Sequence, residues 1–174
     1  MKSRVILSAI GSDRPGLTQA LADAVAGAGG NWLESHLSRL GGKYVGAVLV
    51  ELDDADLPEL EKRVRVIDQA ALEVSLVAAG DEPESAGKPL WIELVGQDRP
   101  GIVREVTGVL KALQLNIEDF STATENSAWS GELLFRMKAR IRLPDGMPRV
   151  RVQEALEAIS GEIMVDFTVT TLDR

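Results

Sequence analysis

The 174-residue chain contains no cysteine and one histidine, His36. The first absence excludes disulfides and thiolate chemistry. The second leaves no His or Cys neighbour with which His36 could hold zinc, so a solvated histidine on a strand is expected. Apolar residues make up 45% of the chain, yet no apolar run approaches the ~20 residues needed to cross a membrane. Met1-Lys2-Ser3-Arg4 leads directly into a strand pattern, without the apolar stretch and small-residue cleavage site of a signal peptide. No membrane association and a cytoplasmic location are therefore expected. There is also no excess of basic charge. Net charge is −8, with 8 basic and 11 acidic residues over 1–80 and 11 basic and 16 acidic over 81–174. Neither half offers the positive field that nucleic-acid binding needs, and direct nucleic-acid contact is not expected. No P-loop, G-x-G-x-x-G or G-x-S-x-G occurs. Asp54-Ala55-Asp56 has the D-x-D spacing of a phosphotransferase nucleophile loop, but it runs into Leu57-Pro58 between a strand and a helix start, where helix capping is expected. No acid–base pair, activated nucleophile or metal set can be assembled, so no catalysis, cofactor or metal is expected.

What the chain does contain is a repeat. Asp13-Arg14-Pro15-Gly16 returns as Asp98-Arg99-Pro100-Gly101, and Asn31 returns as Asn116, at one offset of 85 positions. The stretch between aligns without a gap: Gly11 with Gly96, Leu17 with Ile102, Leu21 with Val106, Val25 with Leu110, Ala28 with Leu113. A long repeat at a fixed offset marks two copies of one small domain. Each copy is about eighty residues, near the low end for an independent core.

The second copy is the more legible. Leu90, Ile92 and Leu94 alternate with Trp91, Glu93 and Val95, a half-buried strand. After the DRPG turn, Ile102, Val106, Val109, Leu110 and Leu113 form one apolar helix face. Asn116 opens a second strand to about Thr124, and Asn126 to Gly131 form a loop carrying Trp129, either exposed for a partner or laid over the local core. Leu133 to Leu143 is a third strand, Val152 to Ile159 a second helix, and Ile163 to Val169 a last strand. The first copy repeats this order with strands at 4–10, 32–40, 44–52 and 72–79 and helices at 15–28 and 57–70. The pattern predicts α+β architecture: two ferredoxin-like βαββαβ domains, each an antiparallel sheet with both helices on one face. The expected domains are 1–80 and 88–174, joined by a polar linker, 81–87.

DRPG sits where strand one becomes helix one. Proline suits the first helical turn, aspartate can cap free backbone N–H groups, and glycine allows close approach to the backbone. Such a helix end also favours a carboxylate. Asn31 and Asn116 bring amides to the start of strand two. In this topology strand three lies between strands one and two, so Asn31 either reaches its own copy's loop or faces the loop of another copy.

These features resemble an ACT domain, the small-molecule-sensing module of amino-acid metabolism. Two such domains in a short chain resemble the glycine cleavage system transcriptional repressor family. The resemblance implies that Asp13, Arg14, Pro15, Gly16, Leu17 and Asn31, with Asp98, Arg99, Pro100, Gly101, Ile102 and Asn116, line ligand sites between domains. It also implies a small amino acid as effector, glycine in that family, and a protein partner such as a transcription activator. The expected assembly is two domains packed as a pseudo-dimer, with the chain forming a homodimer. This sequence has Asp13 and Asp98 where the best-known binders have Asn; an aspartate accepts from a ligand ammonium but repels a carboxylate beside it. Two other classes fit the same residues: a regulatory subunit of an amino-acid enzyme such as phosphoserine phosphatase, and an interaction module without ligand. A copurifying enzyme would favour the first, flat calorimetry the second.

One further feature stands out. Arg136, Lys138, Arg140 and Arg142 share one strand face, opposite Phe135, Met137, Ala139 and Ile141. Cross-strand pairing with Glu93 and Asp166 is the favoured reading, over an anion-binding surface.

Overall fold

A computed structural model describes residues 1–67, 72–81, 87–126, 131–159, 161 and 163–168. The chain divides into two units, Met1–Glu82 and Pro83–Arg174. The first contains β1 (Lys2–Ser12), α1 (Leu17–Gly27), β2 (Asn31–Leu40), β3 (Lys43–Asp53), a single 3-10 turn (Asp54–Asp56), α2 (Leu57–Val66) and β4 (Leu72–Ala78). The second contains β5 (Lys88–Gln97), α3 (Ile102–Ala112), β6 (Asn116–Asn126), β7 (Leu133–Leu143), α4 (Arg149–Glu157) and β8 (Met164–Thr168). Strand orders are β2-β3-β1-β4 and β6-β7-β5-β8, with all pairings antiparallel. The expected split βαβ topology is thus present twice.

The period-two pattern decides which face each sheet buries. Val5 and Leu7 on β1 and Val48, Val50 and Leu52 on β3 are buried against Val25 of α1 and Leu60 and Val64 of α2. Ala9, Leu17, Leu21 and Leu72 complete this core at the loop end, with Tyr44 packed on them. In the second unit Leu90, Ile92 and Leu94 meet Met137, Ala139 and Ile141, with Val106 and Leu110 of α3 and Val152 and Leu156 of α4 on the same side. Burying each such Leu or Ile side chain stabilises by about 1.5–3 kcal/mol. Helices therefore cover one face of each sheet and leave the other open.

Both copies carry a β-bulge at the same place. The β2–β3 register shifts between Trp32 and Glu34, and the β6–β7 register between Ile117 and Asp119. The extra residues are Leu33 and Glu118, again 85 positions apart. A bulge turns a side chain away from strict alternation. Glu118 thereby lies 3.2 Å from Arg140 and 2.6 Å from Arg142. Arg136 pairs with Glu93 at 2.7 Å and Glu125 at 2.6 Å, and Lys138 reaches Glu93 at 3.7 Å. The basic stripe is therefore cross-strand paired, with Glu118 and Glu125 added to the expected Glu93. Asp166 stands opposite Glu93 in the register; its side chain and Trp129 lie outside the described residues.

Two capping expectations fail. The residue ahead of α1 is Gly16, left-handed at φ 92°, and it makes no side-chain cap; Gly101 at φ 90° does the same for α3. The first helix starts at Leu17 rather than at 15, because a left-handed glycine cannot continue it. Asp56 precedes α2 without a side-chain cap bond. Asp54 instead accepts a hydrogen bond from Ser3 Oγ at 2.5 Å, tying the turn to β1.

Candidate functional site

Each DRPG segment follows the last residue of its central strand, Ser12 or Gln97, and ends in the left-handed glycine that sets the helix direction. A β-carbon built on Gly16 or Gly101 meets nothing within 4 Å. The glycines are required by φ, and the space above them is open to an approaching group. Leu17 and Ile102 point inward and are buried, anchoring the turn to the core.

In the first unit the loop borders an open depression of about 500 Å³, lined by Asp13 to Gln19, Ala22 and Tyr44. Register places Tyr44 there, because it pairs with Gly11 across β1 and β3. Its ring packs on the core and its Oη lies 2.7 Å from Thr18 Oγ1. Arg39, which pairs with Tyr44 in the β2–β3 register, holds Asp13 at 3.3 Å. Asp13 is therefore partnered by a guanidinium rather than by backbone N–H groups. That lowers the repulsion an aspartate would exert on a nearby carboxylate.

The second loop is built differently. Arg99 Nη1 donates to Glu105 Oε1 at 2.8 Å, and Nη2 donates to Oε2. Hydrogen bonding to Arg99 holds the Glu105 carboxyl below its ordinary value near 4.5, and the same bond raises the Arg99 guanidinium. Asp98 and Arg99 are half-buried, whereas Asp13 and Arg14 are exposed. Asp98 N–H donates to Leu133 O at 2.9 Å.

Neither asparagine lies beside its own loop. Asn31 and Arg4 both register with Glu51, and Asn116 and Pro89 both register with Arg142. Each DRPG aspartate lies nine positions further along the central strand, roughly 30 Å away at ~3.3 Å per residue. Strands β1 and β2 run parallel with β3 between them, which puts the start of β2 at the far end of the sheet. Within one unit the structure brings together Asp13, Arg14, Pro15, Gly16 and Leu17, or Asp98, Arg99, Pro100, Gly101 and Ile102, and leaves the asparagine apart.

Sequence reasoning missed Arg39, Thr18, Tyr44 and Glu105. Only strand register and helix phase reveal them, and none of the four is shared between the copies. His36 is exposed on β2, 3.1 Å from Glu34, as expected of a solvated strand histidine. A smaller hollow of about 220 Å³ lies beside it on the outer sheet face, lined by Arg4, Ile6, Glu34, His36 and Leu49 among others. The repeat does not reproduce its residues, so the loop is the better-founded site. Among the described residues no cluster of His, Asp or Glu is arranged to hold a metal, and no helix is long and apolar enough to cross a membrane.

The fold and the loop resemble those of the ACT domain. Residues 3–76 match its family model, and the second unit repeats the strand order, the bulge and the DRPG turn. At the level of whole chains, the glycine cleavage system transcriptional repressor of Escherichia coli (strain K12) is 17% identical over 174 residues, spanning 97% of this chain and 90% of the relative. The repressor of that name from Shigella flexneri matches equally. Among solved structures, an unknown protein from Galdieria sulphuraria is 25% identical with a TM-score of 0.82, covering 96% of this chain and 98% of that one. A structure assigned to the glycine cleavage system transcriptional repressor superposes with a TM-score of 0.71 at 16% identity, covering 98% and 99%. The first unit thus matches the ACT-domain model, and the chain as a whole is similar to this repressor along nearly its whole length.

Proposed function

We propose that the chain is a non-catalytic sensor that binds a small amino acid at a DRPG loop and transmits occupancy to a protein partner. The observation that carries this reading is the loop itself. It is duplicated at one offset, turned by a left-handed glycine, and in the first unit it borders an open depression that carries Asp13, Thr18 and Tyr44. An α-amino acid suits that depression: Asp13 accepts from an ammonium, and the Thr18–Tyr44 hydroxyls offer a donor to a carboxylate. The resemblance to these repressors makes glycine the first effector to test and a transcription activator the first partner to test. Net charge of −8 supports action through protein rather than by direct DNA contact. Each asparagine lies far from its own loop and takes no part in the site within its own unit; the expected assembly is a homodimer.

The test is a thermal-shift screen of the twenty proteinogenic amino acids on wild type and on Asp13→Ala with Asp98→Ala, which removes the loop carboxylates and leaves the left-handed glycines in place. Stabilisation by a small amino acid, lost in the double variant while its circular dichroism stays native, is expected. Equal stabilisation of both proteins, or of neither, contradicts the reading.

A further inference from the structure

We infer that the two loops have divided roles: the first copy's loop takes the amino acid, recognised through the Thr18–Tyr44 hydroxyl pair, while the second copy's loop is latched by its own Arg99–Glu105 pair. The inference rests on the amino-acid-binding reading above and says which copy performs it.

Equivalent positions can be paired without ambiguity. Tyr44 pairs with Gly11 and Phe135 with Gly96, so they occupy the same place beneath the loop. Thr18 and Val103 correspond at the repeat offset, as do Ala20 and Glu105. Arg39 pairs with Tyr44, and Thr124 pairs with Phe135. The first copy therefore has two hydroxyls and a guanidinium where the second has Val103, Phe135 and Thr124.

The chemistry follows from that exchange. Two hydroxyls 2.7 Å apart use one O–H between them and keep a second O–H to donate and lone pairs to accept. They can therefore bind either end of a zwitterion. Val103 and Phe135 can do neither, and Phe135 is 3% exposed. The second loop's own cation is also committed. Both outer nitrogens of Arg99 lie on the two oxygens of Glu105 in a bidentate, charge-assisted pair. A ligand carboxylate would have to displace one already in place. At the position corresponding to Glu105 the first copy has Ala20.

The most stabilising of the twenty proteinogenic amino acids is titrated calorimetrically into the full chain. One molecule per chain is expected. Thr18→Val with Tyr44→Phe, which makes the first loop resemble the second, weakens binding at least tenfold with native circular dichroism. Tyr44→Phe alone keeps the ring packing and gives an intermediate loss. The reverse exchange, Val103→Thr, Glu105→Ala and Phe135→Tyr, raises the stoichiometry towards two. Two equivalent sites in wild type, or unchanged affinity in the Thr18→Val, Tyr44→Phe protein, overturns the division while leaving the sensor reading intact. No binding by any of the twenty overturns both.

Discussion

The two units share a fold and a turn but differ wherever a side chain leaves the core. Their inner faces are interchangeable in kind: Leu7, Leu21 and Val25 in one, Ile92, Val106 and Leu110 in the other. Their outer faces are not. The first sheet exposes Ile10 and Val77 on its open side, whereas the second carries the paired stripe from Arg136 to Arg142. Their loops differ in the same way, hydroxyls and Arg39 against a bidentate latch. A core must fill its volume at close packing, and a left-handed turn must have glycine. An outer face or loop rim answers only to what meets it. The repeat therefore preserved what the fold requires and let binding surfaces diverge.

Substitutions at matched positions can break or sharpen that comparison. The largest effects are expected in the shared core. Leu7→Ala and Ile92→Ala, at counterpart positions and both all but fully buried, should each cost about 2–5 kcal/mol. Urea unfolding of the two variants measures this, and a cost below about 1 kcal/mol in either would mean that the cores are not equivalent.

Next comes a strand position where the copies differ. Gly46 of β3 has φ 154°, and a β-carbon there would come within 1.9 Å of His36 O. Its register counterpart is the buried Met137, since Gly46 pairs with Ala9 and Met137 with Leu94. Gly46→Ala should cost about 3 kcal/mol through overpacking and backbone strain. Near-wild-type stability would show that β2 does not approach β3 as described.

A smaller effect separates the loops. Tyr44→Phe removes the hydroxyl pair and should cost about 0.5–1.5 kcal/mol without ligand. Phe135→Tyr offers no matching gain, since Val103 cannot pair with it.

The smallest effect is one of pH. Hydrogen bonding to Arg99 depresses the folded-state pKa of Glu105. Its contribution is thus present above the ordinary value near 4.5 and is lost as pH falls through the lower folded value. Carboxyl NMR should give a Glu105 midpoint below 4.5 that returns towards it in Arg99→Ala. In the first unit Glu51 shows the same sign, held down chiefly by its hydrogen bond from Lys2. An unshifted Glu105 midpoint would remove the latch.

Much of this was legible from residues alone. The DRPG repeat gave two units, and alternation from Leu90 to Val95 and from Leu133 to Leu143 gave both strands and their buried faces. What escaped is whatever depends on register or on a break in periodicity. Leu33 and Glu118 look like ordinary strand residues, yet a bulge makes Glu118 the partner of Arg140 and Arg142. Asp13 looked like a cap because a short acidic side chain precedes a helix, but Gly16 turns the chain first and leaves Asp13 to Arg39. Asn31 matched a binding motif in type and spacing. The parallel course of β1 and β2 then puts it at the far end of the sheet from its own loop.

The most direct test of the account is backbone amide mapping by NMR as the most stabilising amino acid is added to the full chain. The account predicts the largest shifts at Arg14, Gly16, Leu17 and Thr18, with Tyr44 following and the Arg99–Glu105 segment little changed. Shifts of equal size in both loops, or confined to residues outside them, would contradict it.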